Sequence, residues 1–128
     1  MTKIHNPAAL GSPPTYSNGI EVPSTARTLY IAGQVGWDKD YKAVPGGIVE
    51  QTRAAFANLH AVLKSAGMDY GNVVKTTVFL VNPDDYAAFG KTRSEILGAV
   101  KPASTLVFIK QLIKPELLVE VEAVAVAD

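Results

Sequence analysis

Residues Leu117 to Ala127 read LLVEVEAVAVA, and their strict alternation constrains the fold more than any other stretch. A period of two belongs to a β-strand with two unlike faces. Val119, Val121, Ala123 and Ala125 point one way, a small apolar surface that suits a closely packed helix. Glu120, Glu122, Val124 and Val126 point the other way. A carboxylate among valines is costly to bury unless it is paired, hydrogen-bonded or partly wet. Glu120 and Glu122 are therefore the first places to look for chemistry; the alternative is a solvated strand end carrying two ordinary surface acids.

The rest of the chain supplies partners for that strand. A short strand-like TKI opens it, and Asn6-Pro7 and Pro13-Pro14 mark an irregular connection. Tyr16–Val22 is expected as a strand interrupted at Asn18-Gly19, and Thr28–Val35 as a clear strand. There Leu29, Ile31, Gly33 and Val35 are expected on one side, with Tyr30, Ala32 and Gln34 on the other. Gly33 in mid-strand signals a bulge or a close approach. A loop with Trp37 and Tyr41 follows. From Ile48 the period becomes helical, with Ile48, Thr52, Ala55, Phe56, Leu59, Val62, Leu63 and Ala66 in one stripe and Gly67 as the stop. Val73–Val81 is β-branched and apolar on both sides. Asn82-Pro83-Asp84-Asp85 starts a second helix ending at Gly98. Strands over Ser104–Leu112 and Leu117–Ala127 finish a β-β-β-α-β-α-β-β order. This is one α+β domain over residues 1–128, with a six-stranded mixed sheet and two helices on one face.

Two helices cover one face only. The other, expected to carry Val78 or Phe79, Leu106, Phe108 and Val124, is too apolar for water. With no element to spare, a second copy of the chain is the simplest cover, so a homo-oligomer is expected.

Composition removes several function classes. Twelve basic and twelve acidic residues cancel, which gives no electrostatic case for nucleic acid or an anionic membrane. No cysteine is present, so disulfides, thiolate metal sites and a cysteine nucleophile drop out together. No apolar run approaches the ~20 residues of a membrane span, and no signal-peptide pattern opens the chain; a soluble, cytoplasmic protein is expected. His5 and His60 stand apart, in the N-terminal segment and on a polar helix side. No HExxH, phosphate loop or GxSxG appears. The candidates are Tyr16, Gln34, Trp37, Ser104, Thr105, Glu120 and Glu122, in a pocket with neither metal nor cofactor. Each also has a plain structural role available: packing for the aromatics, strand-edge hydroxyls for Ser104 and Thr105.

Several separate motifs now line up. The YxxG at Tyr16–Gly19, AGQV at Ala32–Val35, VVKTTVFL at Val73–Leu80, KPAST at Lys101–Thr105 and the terminal VEVEAVAV together resemble the RidA family, also called YjgF or the L-PSP endoribonuclease family. The resemblance implies a chorismate-mutase-like fold assembled as a homotrimer around a central β-barrel, with small-molecule clefts between neighbouring subunits. It implies hydrolysis of reactive imines or enamines to a keto product and ammonia, without a cofactor. Carried over, the water-activating glutamate falls on Glu120 and an enclosing tyrosine on Tyr16. Gly33 keeps the glycine of a backbone contact near Gln34, and Thr105 and Leu106 continue the substrate-lining strand.

The departures are informative. Where the deaminases read P-A-R, this chain reads Pro102-Ala103-Ser104. Ala32 replaces a serine and Gly90 an asparagine. Losing the guanidinium removes a charge-assisted contact of about 1.5–3 kcal/mol. It also opens room, beside which Trp37 could help line a site for a larger, flatter substrate such as an aminomuconate. The cations available to stand in are Arg27, Lys101 and Arg93. The same loss fits a metabolite-binding trimer without catalysis. A ribonuclease reading follows only from the older family name and is opposed by the balanced charge.

Overall fold

The computed structural model describes residues 1–128. Its elements are β1 (Lys3–His5), β2 (Gly19–Glu21), β3 (Arg27–Val35), α1 (Ile48–Ser65), β4 (Val73–Leu80), α2 (Tyr86–Leu97), β5 (Ala103–Phe108) and β6 (Val119–Ala127). Their order matches the one read from the periodicity, and the class is α+β.

The expected six-stranded sheet is divided. Four strands form a mixed sheet in the order β3-β6-β4-β5, with β6 antiparallel to both neighbours and β4 parallel to β5. β1 and β2 form a separate antiparallel ribbon, joined to β5 by one bridge from Ser17 to Ala103. The cause is local. The backbone N–H of Asn18 donates to the Asn6 side chain at 2.7 Å, so the chain turns away from the β5 ladder one residue after reaching it.

β6 behaves as its alternation requires. Val119, Val121, Ala123 and Ala125 are buried against α1, whose inner stripe of Ala55, Phe56, Leu59 and Leu63 completes the main core. Gly67 ends α1 in the left-handed region at φ 72°, and two bonds close the last turn, from Gly67 N to Lys64 O and from Met68 N to Leu63 O. Asn82 caps a single 3-10 turn over Pro83–Asp85, and α2 follows it.

The uncovered face differs from expectation. Val78 and Leu106 pack into the helix-side core, and Phe108 lies beside Tyr86 of α2 with ring centroids 6.4 Å apart. Register instead places Phe79, Val124 and Val107 on the open face with Lys75, Thr77, Thr105, Glu120, Glu122 and Tyr30. That face is mixed in polarity rather than greasy. β5 also ends early. After Ile109 N donates to Leu80 O, the chain leaves the sheet. Leu112 and Leu117 then bury with Val35 in a second small core, against which Trp37, Phe79, Val81 and Ile109 pack.

Candidate active site

Glu120 is the candidate for chemistry on the open face. Its strand neighbours are Val35 on β3 and Phe79 on β4, both part of the second core, so the acid stands on an apolar shelf. Burial, with the charge of Glu122 as a lesser cause, raises its pKa above the ordinary carboxylate range. No hydrogen bond from the chain offsets that cost. A half-buried, unbonded carboxylate with a raised pKa has the properties of a general base acting through water.

The room for it is made by Gly33. Between Ile31 and Gln34 β3 advances three residues while β6 advances two, so Ala32 and Gly33 together oppose Glu122 in a β-bulge. A Cβ on Gly33 would lie 1.7 Å from Glu120 Oε2 and 2.7 Å from Cδ, an impossible overlap. The bulge also corrects the expected facing of β3. Ile31 points to the helices, whereas Val35 points to the open side with Glu120. One inserted residue reverses every side chain after it.

Next to the shelf, the Gln34 amide donates to Ala32 O of its own strand at 3.0 Å. Trp37 packs edge-on to Tyr41, at 5.2 Å between centroids, with the Lys114 ammonium 5.4 Å from its ring centre. Two residues that the sequence did not single out hold this corner. Asn58 donates to both Val35 O and Trp37 O at 3.1 Å. Gln51 is buried, donating to Glu116 O at 2.8 Å and accepting from Leu118 N at 2.7 Å. Both sit on α1, where polar residues read as solvent-facing. Their signal would have been an amide sitting beside an otherwise apolar stripe.

The remaining candidates form a second group at the β5 edge. Tyr16 is 38% exposed, and Ser17 anchors it through N–H to Pro102 O (3.1 Å) and Oγ–H to Lys101 O (2.6 Å). Ser104 is on the helix side, where the Thr76 hydroxyl donates to it at 3.0 Å. Thr105, on the open side, accepts from Lys75 Nζ at 3.0 Å. Leu106 packs into the core, so its side chain is not free to line a pocket. Gly90 lies on α2 facing open space. From Glu120 to Ser104 the path crosses two strand spacings and three residues along the sheet, about 14 Å, and ends on the opposite face. One chain does not bring the two groups together.

Elsewhere, His60 pairs with Asp69 at 2.8 Å and stacks on Tyr70 as a surface contact. No group of three His, Asp or Glu side chains could hold a metal ion, and no helix is long and apolar enough to cross a membrane. A hollow of about 370 Å³ lies near the termini among Ile4, Ile20, Val73, Val100 and Val126. Its lining is mostly apolar, so Glu120 is the better candidate for chemistry.

A mixed sheet backed by two helices, with a solvent-accessible acid on a bulge-made shelf, makes up a candidate site on an α+β scaffold. Residues 5–127 match the family described as Endoribonuclease L-PSP, and the chain belongs to it. It is 40% identical over 121 residues to the 2-iminobutanoate/2-iminopropanoate deaminase of Mus musculus, covering 94% of this chain and 84% of that protein. A RutC family protein of Pyrococcus horikoshii is 39% identical over 98 residues, 76% of this chain and 77% of its own. Among solved structures, a Rid-family protein of Yersinia pestis matches with a TM-score of 0.83 at 34% identity, covering 97% of each chain.

Proposed function

We propose that this chain hydrolyses a small reactive imine or enamine to a keto compound and ammonia, in a homotrimer whose clefts lie between subunits. The carrying observation is Glu120, a carboxylate of raised pKa with no bond from the chain, held against Gly33. Glu120 takes a proton from water as the oxygen adds to the C=N carbon. The resulting carbinolamine is protonated on nitrogen, the C–N bond breaks, and ammonia leaves as the carbonyl forms. Relatives named as 2-iminobutanoate/2-iminopropanoate deaminases support that substrate class. The smaller side chain at Ser104 favours a substrate larger or flatter than theirs, in the manner of an aminomuconate.

Three features support assembly. Glu120 and Ser104 stand about 14 Å apart on opposite faces of one sheet, a separation that a neighbouring chain would close. Beyond the Ser17 bridge, the outer edge of β5 pairs with nothing. The chain exposes 7277 Å², against about 6,600 Å² expected for a compact monomer of this mass.

The test generates imines in situ with an amino-acid oxidase and follows their loss by semicarbazone trapping. The parent accelerates loss and Glu120→Gln does not, while both sediment as trimers. Equal rates for the two proteins contradict the mechanism. A second reading, a binding trimer without turnover, is favoured by Ser104, whose hydroxyl is already engaged by Thr76. Calorimetric binding of keto acids with no acceleration of imine loss would select it.

A further inference from the structure

The chain has three arginines, and only one of them, Arg53, has an anionic partner. Arg53 pairs with Glu95 at 2.7 Å. Arg27 is exposed at the start of β3, opposite Ala127 and seven residues along the ladder from the Glu120 pair. Arg93 is half-buried on α2, its guanidinium 5.3 Å from the ring centre of Phe89. It takes part in no ion pair and makes no hydrogen bond in the chain. Burial pushes its pKa down, with no carboxylate to compensate. A guanidinium in such a place keeps five donors ready for an arriving anion.

Its position is specific. Arg93 lines a small depression with Pro14, Thr15, Ser94, Leu97 and Gly98. Thr15 precedes Tyr16, and Ser17 is bridged to Ala103, the residue before Ser104. Arg93, Tyr16 and Ser104 are thus gathered at one end of the β5 edge. The other cations near that edge are committed or exposed. Lys75 Nζ is shared between Thr76 O and Thr105 Oγ1, each at 3.0 Å, and Lys101 projects into solvent.

We propose that Arg93 binds the carboxylate of a 2-imino or 2-keto acid in the intersubunit cleft, supplying from α2 the guanidinium that position 104 lacks. This rests on the deaminase reading for the identity of the substrate, but the binding is measurable without turnover. A planar fork on a helix, preset over an aromatic ring, reaches a carboxylate in two parallel bonds. Tyr16 then closes over the remainder, and the imine carbon lies toward Glu120 of the neighbouring chain.

The test titrates pyruvate, methyl pyruvate and inorganic phosphate into the parent, Arg93→Met, Arg93→Lys and the double variant Arg93→Met/Ser104→Arg by calorimetry. Arg93→Met keeps the apolar stem over Phe89 and is expected to fold with an unchanged circular dichroism spectrum. It should weaken pyruvate about ten- to hundredfold and leave the uncharged ester unchanged. Arg93→Lys should fall between, and Ser104→Arg should restore pyruvate binding in the double variant. Phosphate bound as tightly as pyruvate by the parent, and lost in Arg93→Met, would mark a general anion site and overturn the carboxylate assignment. Parent-like pyruvate affinity in Arg93→Met overturns it as well. Loss of pyruvate binding in Arg93→Met, alongside a parent that binds pyruvate but turns over no imine, leaves the Arg93 assignment standing and removes the deaminase reading. Turnover with an unchanged KM in Arg93→Met does the reverse.

Discussion

Gly33→Ala is the sharpest perturbation available, because its effect follows from one distance. The new Cβ would lie 1.7 Å from Glu120 Oε2, whereas ordinary contact begins near 3.4 Å, so the carboxylate must move by a similar 1.7 Å. The atom in the way is the end of a flexible side chain, and Gly33 does not use the left-handed region, so the backbone need not change. The stability cost should therefore sit at the low end of the overpacking range, about 1 kcal/mol. Catalysis should suffer far more, since a 1 Å misplacement of a catalytic group costs about a hundredfold. The assay pairs urea unfolding with imine turnover for Gly33→Ala, Glu120→Ala and the double variant. Glu120→Ala removes the obstructing atoms, so Gly33→Ala should cost nothing further in that background. An additive stability penalty, or a Gly33→Ala protein with parental turnover, refutes the reasoning.

Other outcomes follow from single features. Burial holds the Glu120 proton to higher pH in the native state than in the unfolded one, so stability contributed at this site falls as pH rises through the folded value. Glu120→Gln should be more stable than the parent at neutral pH, and the gain should vanish below the unfolded carboxylate pKa of about 4.3 in pH-dependent melts. The Thr52 hydroxyl is buried without a partner, so Thr52→Val should stabilise by roughly 1 kcal/mol in denaturant titrations. Gly90 is in mid-helix with nothing within 4 Å of a new Cβ, so Gly90→Ala should add about 0.5–1 kcal/mol by the same measurement.

Legibility in the sequence followed the range of the physics. β6 and α1 were readable because each carries its own period, and Gly67 marked the end of α1 by conformational necessity. Glu120 was readable as an anomaly, an acid on an otherwise apolar alternation. The facing of Val35 was not, because a bulge at Ala32-Gly33 reverses it and only pairing with β6 fixes where the extra residue goes. Leu106 and Phe108 were misplaced on the open face, and Val78 was not told apart from Phe79, because strands apolar on both sides carry no facing signal of their own. The division of the sheet hinges on two bonds from Asn18 to the Asn6 side-chain oxygen, between residues twelve apart. Asn58 and Gln51 escaped notice since an amide that binds distant backbone looks like any surface amide until the loops fold over it.

Subunit mixing tests most directly whether the acid on one chain works with groups on another. Glu120→Gln and Tyr16→Ala chains, each nearly inactive alone, are unfolded, combined in equal amounts and refolded. If a site draws Glu120 from one chain and Tyr16 from its neighbour, random assembly leaves about a quarter of the sites intact, and about a quarter of parental imine turnover should return. Assembly into mixed oligomers with no recovered activity would contradict the shared site and the role assigned to Glu120 within it.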